Sequence, residues 1–345
     1  MKVLVVNAMV PFIRGGAEAL ADTLLRQLIL AGHPAELLSV PFQWEPSSQI
    51  PWQMLLARGL EIPNVDRVIA LKFPAYLIRH PHKTLWVLHQ YRQAYDQVGT
   101  ELSNIATGQD GDGLRRVIRT ADAEVFAEAR RIFGISANVV GRLRKFNGVR
   151  GEVLVPPPPD PERFFSASGR GYVFAGGRVT PVKRQHLLVE AMASIKGRGL
   201  LIVAGPPDDP SYARRLEDIV RERGLADRVT LDLRYLTREE YAAYLNHADA
   251  VAYVPVDEDA IGYVTMEAAI AAKPVITVTD SGGVLELVDG DAVGWVTPPT
   301  LRQLAQSLEQ ALRDPQGAAA RGRALRERWS SRGVTWPETV KRLLE

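Results

Sequence analysis

The sequence predicts an α/β protein made of two similar domains. Short apolar runs rich in β-branched residues alternate with longer amphipathic stretches, which is the pattern of parallel strands joined by right-handed helical crossovers. The pattern stops at four consecutive prolines, Pro156–Pro159, and then starts again. A chain of 345 residues is also too long for one ordinary core. We therefore expect domains at residues 1–158 and 159–328, followed by a C-terminal helix within 329–345.

The first domain is expected to contain five strands and two helices. The first helix is predicted at Gly16–Leu30, where Leu20, Leu24 and Leu28 form one apolar stripe and Gly32 ends the helix. In the second helix, predicted near Leu114–Arg131, arginines alternate with acidic residues. This alternation favours a solvent-exposed face over contact with an anionic membrane. The strands are predicted at Lys2–Val6, Ala35–Val40, Arg67–Leu71, Thr84–Leu88 and Arg131–Ile135, and the second helix near Leu114–Arg131.

The second domain repeats this alternation without repeating the sequence. Thr237 and Glu240 have the spacing of a capping box at the start of one of its helices. The strands are predicted at Tyr172–Ala175, Leu200–Ala204, Arg228–Leu231, Ala250–Val254 and Val275–Val278. The helices are predicted near Arg184–Ile195, Tyr212–Arg223, Arg238–Asn246, Val264–Ala271, Leu301–Leu312 and, after a break at Gly333, Trp336–Leu344.

Composition excludes several classes of protein. The 42 basic residues nearly balance the 40 acidic ones, so a nucleic-acid-binding surface is not indicated. The chain has no cysteine, which excludes disulfides and thiolate nucleophiles. No apolar run reaches transmembrane length, and the apolar start of the chain is better explained as a buried strand than as a signal peptide. We expect a cytoplasmic protein and leave open a peripheral contact with the inner face of the membrane.

An acidic, glycine-containing turn leads directly into a helix at residues 255–276. Asp259 and Glu267 lie eight positions apart in this segment, and the helix is expected to begin near Thr265. The start of a helix offers unpaired N–H groups and a partial positive charge, which suits a diphosphate. The two carboxylates can accept hydrogen bonds from sugar hydroxyls. We therefore expect the main-chain N–H groups of residues 261–264 (Ile261, Gly262, Tyr263 and Val264) to bind phosphate oxygens.

A basic motif precedes the acidic one in the same domain. Arg178 follows a Gly-Gly pair at the end of a predicted strand, and Lys183 follows five residues later. Cleavage of a sugar–phosphate bond places negative charge on phosphate oxygens, which fixed cations stabilise best in a dry site. We expect this pair to bind the departing diphosphate. Arg184 is an alternative to Lys183 if the loop is shifted by one residue.

These two motifs resemble those of the GT-B retaining glycosyltransferases of family 4, the glycosyl transferases group 1. The resemblance implies two Rossmann-like domains facing each other across a cleft, and a terminal helix that returns to the first domain. It also implies a metal-independent hexosyltransferase of glycan biosynthesis that takes a nucleotide-diphosphate sugar as donor and needs no cofactor. A UDP-sugar is the first choice of donor, with GDP- and ADP-sugars as alternatives. The family usually has glutamate where this chain has Asp259, and it is open whether this change alters activity.

The resemblance also implies roles for residues outside the two motifs. Gly15 and Gly16 match a Gly-Gly turn after the first strand that faces the donor, and His89 at the end of a strand is placed near the donor sugar. Glu267 is implied to bind the ribose and Asp259 the sugar, while Tyr235 borders the base. These residues complete the candidate catalytic set of Asp259, Glu267, Arg178, Lys183 and His89.

The acceptor and the rival functions are left open. The loops Phe42–Gln53 and Tyr91–Asp112 are expected to bind a glycan, lipid or small-molecule acceptor, and the former is expected to be semi-ordered. Asp257-Glu258-Asp259 also reads as D-x-D, a short metal-binding signature that the doubled β/α pattern argues against. A nucleotide-sugar epimerase, a phosphorylase and a non-catalytic nucleotide-sugar binding protein are the alternatives. The sequence does not indicate an oligomeric state.

Overall fold

The computed structural model describes residues 1–197 and 199–345. The chain forms two compact units. The first unit comprises Met1–Pro159 together with Val334–Glu345, and the second comprises Asp160–Gly333. The boundary between the units falls at the end of the Pro156–Pro159 run.

The first unit is built on a parallel sheet of six strands. The strands are β1 (Val3–Met9), β2 (Ala35–Pro41), β3 (Arg67–Ala70), β4 (Lys83–Val87), β5 (Arg131–Gly134) and β6 (Glu152–Val153). Their order across the sheet is β2-β1-β3-β4-β5-β6. The helices before the second unit are α1 (Gly16–Leu30), α2 (Ile50–Gly59), α3 (Gln109–Glu128) and α4 (Ala137–Asn147). Every residue of β3 and β4 is buried, as expected for the centre of a parallel sheet.

The second unit repeats the architecture with a different strand order. Its strands are β7 (Tyr172–Gly176), β8 (Leu200–Ala204), β9 (Val229–Asp232), β10 (Ala250–Ala252), β11 (Val275–Val278) and β12 (Gly294–Thr297). The order β12-β11-β10-β7-β8-β9 is that of a doubly wound sheet. Its helices are α5 (Gln185–Met192), α6 (Pro210–Glu222), α7 (Arg238–Asn246), α8 (Tyr263–Ile270), α9 (Leu301–Arg313) and α10 (Pro315–Ser331).

The last helix, α11 (Trp336–Leu344), packs on the first unit. The rings of Trp86 and Trp336 meet edge to face with centroids 6.3 Å apart. Arg131 forms an ion pair of 2.8 Å with the side chain of Glu345. Among the described residues, no helix combines the length and the apolar character needed to cross a membrane.

Several elements agree with the sequence-based predictions to the residue, and others were missed. Helices α1, α7 and α11 and strands β8 and β11 have the predicted bounds. Strands β6 and β12, two and four residues long, escaped prediction. Helix α10 is rich in arginine, alanine and glycine, so its apolar periodicity is weak, whereas α4 was missed although Val139, Val140 and Leu143 are buried on one face. The prediction of a semi-ordered Phe42–Gln53 loop is wrong for its end, because α2 begins at Ile50 with Pro51 at a favourable first-turn position.

Candidate functional site

The two motifs of the second unit meet at the middle of its sheet. Strands β7 and β10 are neighbours, and the strand order reverses between them. In open α/β sheets ligands bind beyond the carboxyl ends of the strands at such a point. Arg178 and Lys183 follow β7, and the acidic motif follows β10. The topology therefore brings the basic and acidic motifs to one place, although about 75 residues of sequence separate them.

Lys183 contacts the acidic loop directly. Its ammonium forms an ion pair with Glu258 and donates a hydrogen bond of 2.7 Å to the hydroxyl of Tyr253. That hydroxyl donates to Oε2 of Glu258 over 3.0 Å, and the ring of Tyr253 lies 5.0 Å from the ammonium. An ammonium has three N–H donors, and these contacts use two. The third remains for an anionic ligand.

Arg178 and Arg184 have different surroundings. Arg178 is exposed and pairs with Asp208 at 3.1 Å, a surface contact that a ligand phosphate can replace at little cost. Arg184 has a positive φ of 54° and donates to both oxygens of Asp280, at 2.6 and 2.9 Å. It also donates to the carbonyls of Val254 and Pro255 at 2.8 and 2.7 Å. Arg184 therefore anchors the end of β10, and the alternative in which it replaces Lys183 is not supported by the structure.

The conformation of the loop before α8 depends on two glycines, one in the loop itself and one in the turn after β11. Gly262 caps α8 with φ 84°, and a Cβ there would lie 2.8 Å from the ring of Tyr253. Gly282 has φ 63°, and a Cβ there would lie 2.4 Å from the carbonyl oxygen of Glu258. The next residue, Gly283, donates its N–H to that same carbonyl over 2.7 Å. The Gly282-Gly283 turn therefore packs against the acidic loop and stabilises it. Asp259 lies half-buried on that loop.

The start of α8 presents unpaired main-chain donors. In the part of the chain that the structure describes, no hydrogen bond is donated by the N–H groups of residues 261–264. These four groups follow one another at the positive end of a helix, where an anion is stabilised by the partial charge. Main-chain N–H groups that are not paired need water or a ligand. The N–H groups predicted to bind phosphate are thus unpaired within the described residues, and their role stays a prediction.

Glu267 lies on α8 with its side chain 2% exposed. Arg238 donates to its carboxylate over 2.8 Å, and the guanidinium rests on the rings of Phe164 and Tyr241 at 5.2 and 5.5 Å. Burial raises the pKa of the Glu267 carboxyl, while Arg238 acts in the opposite direction. Sequence reasoning missed Arg238 as its partner, and the only available signal was its place next to the capping residue Thr237.

The loop before α7 agrees with the predicted capping box. The hydroxyl of Thr237 accepts from the N–H of Glu240 over 3.2 Å, and the carboxylate of Glu240 accepts from the N–H of Thr237 over 2.8 Å. Arg234 pairs with Glu240 at 2.7 Å and with Asp232 at 2.9 Å. Arg234 is therefore tied to its own loop. The Tyr235 side chain is 64% exposed.

In the first unit, the Gly-Gly turn caps α1. Gly15 is the capping residue and is extended, with φ −148°, and neither it nor Gly16 is among the residues with positive φ. Neither glycine therefore uses the left-handed region, which glycine can adopt without steric cost. The N–H of Gly15 donates to Glu18 over 2.8 Å, and Glu18 pairs with Lys72 at 3.1 Å. Burial raises the pKa of Glu18, but Lys72 outweighs it, and the net shift is downward.

His89 is half-buried just after β4. Its Nδ1 lies 2.8 Å from the carbonyl oxygen of Gln90. Because a carbonyl only accepts, Nδ1 carries the proton, and Nε2 is left as an acceptor when the ring is neutral. Within the described residues, no group of three or more histidine, aspartate or glutamate side chains is close enough to hold a metal ion.

Comparison with known proteins decides the family. The model of the family "Glycosyl transferases group 1" matches residues 159–336, which is more than half of the chain. This chain belongs to that family. A similar curated protein is the D-inositol 3-phosphate glycosyltransferase of Kineococcus radiotolerans, 30% identical over 266 residues that make up 68% of this chain. The match covers 58% of that relative's length, and matches to two further proteins of the same name cover 45% and 27% of theirs.

Solved structures confirm the fold class. The sucrose-phosphate synthase of Thermosynechococcus elongatus superposes with a TM-score of 0.80 and 19% identity, over 99% of this chain and 97% of that one. Anabaena Alr3699/HepE in complex with UDP-glucose superposes with a TM-score of 0.74 and 18% identity, over 99% and 98% of the two chains. At these identities the likeness establishes the fold alone. The protein is an α/β protein of the GT-B class, as the sequence predicted.

Proposed function

We propose that this protein transfers a sugar from a nucleotide-diphosphate sugar to an acceptor hydroxyl, with retention of configuration and without a metal ion. The proposal depends above all on Lys183, whose ammonium lies against the loop that carries Asp259. The second unit binds the donor, and the first unit binds the acceptor. Family membership supports sugar transfer, and the matched residues 159–336 contain both motifs.

The leaving group is stabilised by cations and main-chain donors. As the bond from the anomeric carbon to the phosphate oxygen breaks, charge grows on the diphosphate. Lys183 and Arg178 bind that charge, together with the N–H groups of residues 261–264. The acceptor oxygen then bonds to the anomeric carbon on the face from which the diphosphate leaves. Its proton passes to the departing phosphate oxygen, so the products are a glycoside and a nucleoside diphosphate, and no separate base is needed.

Other residues orient the donor. Glu267 accepts hydrogen bonds from the ribose hydroxyls, and Arg238 pairs with its buried carboxylate and opposes the rise in pKa that burial causes. Asp259 accepts from hydroxyls of the transferred sugar, and Tyr235 borders the base. His89, Gly15 and Gly16 contribute contacts to the sugar from the first unit. We propose UDP as the first nucleotide to test, because a solved relative is named in complex with UDP-glucose; GDP stays in the test, because a curated relative is named as GDP-mannose-dependent.

The test replaces the lysine that stabilises the leaving group. Lys183→Ala should lower kcat/KM for the preferred donor by about 10²–10³, by analogy with the loss of one oxyanion donor. The donor is first selected by thermal shift with UDP, GDP and ADP, because a ligand that binds the native state raises its apparent stability. Transfer is then followed by nucleoside diphosphate release, and the anomeric configuration of the product by proton NMR.

Lys196→Ala is the matched control, because Lys196 is an exposed lysine of the same unit. It should keep wild-type activity. Wild-type rates for a folded Lys183→Ala variant would contradict the assigned role. Saturable nucleotide binding without turnover would identify a binding protein, and donor conversion without an acceptor would identify an epimerase.

A further inference from the structure

We propose that the acceptor is an amphiphile, a hydroxylated headgroup joined to an alkyl chain, and that two adjoining pockets of the first unit bind its two parts. That the amphiphile serves as the acceptor rests on the proposed function. The binding of such an amphiphile does not, because both pockets are lined by residues of the first unit alone.

The smaller pocket, of about 220 Å³, offers hydrogen bonds. It lies at the carboxyl ends of β1, β3 and β4 and is lined by Lys72, His89 and Gln93, among others. Nε2 of His89 is an acceptor, since Nδ1 donates to the Gln90 carbonyl. Lys72 spends one of its three donors on Glu18. Acceptor and donor groups in one small pocket suit a hydroxylated headgroup.

The larger pocket has a volume of about 760 Å³, and its exposed lining is mostly apolar. Its volume lies in the range typical of small-molecule sites. The apolar lining comes from the loop after β1, the end of β2 with the residue that follows it, and helix α2, namely Val10, Pro11, Ile13, Pro41, Phe42 and Leu56. The amide of Gln53 also lines it, but this amide accepts from the N–H of Gln43 at 2.6 Å and donates back to its carbonyl at 2.7 Å. This amide is therefore bonded within the protein, and so is Nε2 of Gln43, which donates to the carbonyl of Glu45. The side chains of Gln43, Glu45 and Gln49 are the other polar groups in a lining whose exposed surface is mostly apolar.

The two pockets are continuous. Val10, Phe42 and Trp44 line both of them. The ring of Phe42 is fixed at the junction by edge-to-face contacts with Phe73 and Tyr91, with centroids 5.6 and 5.9 Å apart. An aromatic junction between a pocket that offers hydrogen-bonding groups and a larger, mostly apolar pocket matches a molecule whose headgroup and chain are covalently joined.

The apolar surface continues past the larger pocket. Helix α2 exposes Trp52, Leu55 and Leu56 to 70%, 62% and 59%. Large apolar side chains grouped on a surface indicate a binding site for an apolar partner. Leu56 lines the pocket, whereas Leu55, turned by one residue around the helix, does not. A chain longer than the pocket would pass along this helix.

The experiment measures binding of n-alkyl glucosides below their micelle concentrations to the full chain without nucleotide. Isothermal titration with hexyl, octyl and decyl glucosides should show affinity rising by up to about fourfold per methylene group, as expected for alkyl burial. Leu56→Asp should weaken octyl glucoside binding at least tenfold. Trp44→Ala, a change at the junction, should weaken it as well and gives a second variant.

Leu55→Asp is the matched control, with the same charge change on a neighbouring residue of similar exposure. It should leave the dissociation constant within twofold of wild type. Affinity independent of chain length would overturn the proposal. Equal losses in both aspartate variants would also overturn it, because they would indicate adsorption to the outer face of α2, as at a bilayer, and not entry into the pocket.

The two proposals fail separately. UDP binding, measured on the same preparations, reports the second unit. Sugar transfer by a protein that does not bind alkyl glucosides would remove only the amphiphile site. Alkyl glucoside binding by a protein that uses no nucleotide sugar would remove only the proposed function.

Discussion

The two units share an architecture but place opposite chemistry at their strand ends. Each contains a six-stranded parallel sheet with interleaved helices. In the second unit the strand ends carry Arg178, Lys183 and Glu258, which pair with charged partners. In the first unit the corresponding region carries Phe42, Phe73 and Tyr91, whose rings pack on one another. One sheet thus presents charge for an anion, and the other presents aromatic surface.

The difference shows that the fold supplies a position and the loops supply the chemistry. Parallel strands direct their carboxyl ends to one edge whatever follows them. A phosphate site needs consecutive main-chain donors, and these come from one short segment before α8. An apolar pocket needs side chains from several sides, and these come from segments as far apart as Pro11, Phe42 and Leu56. The predictions below test this contrast, starting with the largest expected effect.

The units also differ in how they treat buried charge. Glu267 of the second unit has Arg238 as its partner, whereas Asp122 of the first unit is fully buried and, within the described residues, accepts hydrogen bonds only from the hydroxyls of Tyr76 and Tyr95, at 2.8 and 2.7 Å. Burial raises the pKa of Asp122 to about 7, and the two hydroxyls oppose the shift. A carboxyl whose folded pKa exceeds its unfolded value near 3.9 stabilises the protein fully below that value. This stabilisation is lost as the pH rises through about 7.

Asp122→Asn should therefore remove a pH-dependent contribution. Between about pH 4 and about pH 8 the free energy of unfolding of wild type should fall relative to the variant by up to ~4 kcal/mol, which is about 10³-fold in the unfolding equilibrium. Urea unfolding curves of both proteins across that range measure the difference, and acid effects shared by both cancel. A difference that does not change with pH would show that the carboxyl titrates normally.

The anion site of the second unit should depend on the shape of its loop. In Gly262→Ala the new Cβ would lie 2.8 Å from the ring of Tyr253, and φ would stay at an unfavourable 84°. The loop must move, and the N–H groups of residues 261–264 move with it. We expect the dissociation constant for UDP to rise about tenfold to a hundredfold, measured by calorimetry, if one to two charge-assisted hydrogen bonds are lost.

Gly224→Ala is the control that distinguishes backbone strain at a left-handed residue from displacement of the loop before α8. Gly224 also has a positive φ, of 63°, but a Cβ there meets nothing within 4 Å. This variant should lose about 1–2 kcal/mol of stability from its left-handed alanine and bind UDP as wild type does. Equal weakening of UDP binding in both variants would mean that general destabilisation, not the position of the loop, is responsible.

The same contrast explains how much the sequence revealed. The candidate phosphate site could be proposed from the sequence because its chemistry lies in short motifs with fixed spacing, and Arg178, Lys183, Gly262 and Glu267 were all named from them. The partners of these residues from distant parts of the sequence could not be predicted, and Arg238 and Tyr253 emerged only from the structure. Glu258 was read as part of a metal signature, although the structure pairs it with Lys183.

In the first unit the sequence revealed the frame and little of the site. Helix α1 was predicted to the residue because its leucines repeat every four positions. The pocket was not, because its lining comes from loops whose conformation depends on tertiary packing. Phe42, Phe73 and Tyr91 are 18 to 49 residues apart and carry no common pattern. Helix α2 was missed, and with it Leu56, since its apolar residues face outward as well as inward.

The smallest expected effect concerns the ion pair that holds Lys183. Without a ligand, the ammonium is shared between Glu258 and the hydroxyl of Tyr253. A bound diphosphate must compete with the Glu258 carboxylate for that charge. Glu258→Gln removes the competing charge and keeps an oxygen that can accept a hydrogen bond, so UDP should bind about three- to tenfold more tightly, as expected for a partly exposed ion pair. Turnover should fall, because a lysine held less firmly is less well positioned when the diphosphate departs.

The control is Glu222→Gln, which changes the net charge of the same unit equally at an exposed position on α6. Titration of UDP into both variants at two salt concentrations distinguishes a local effect from a general one, because salt screens a distant charge more than a contact. Tighter binding in Glu222→Gln as well would assign the gain to overall charge. Weaker UDP binding in Glu258→Gln alone would mean that the Glu258 carboxylate positions Lys183 for the diphosphate and does not compete with the diphosphate. Glu258 and Tyr253, the partners of Lys183, would then belong to the binding site itself.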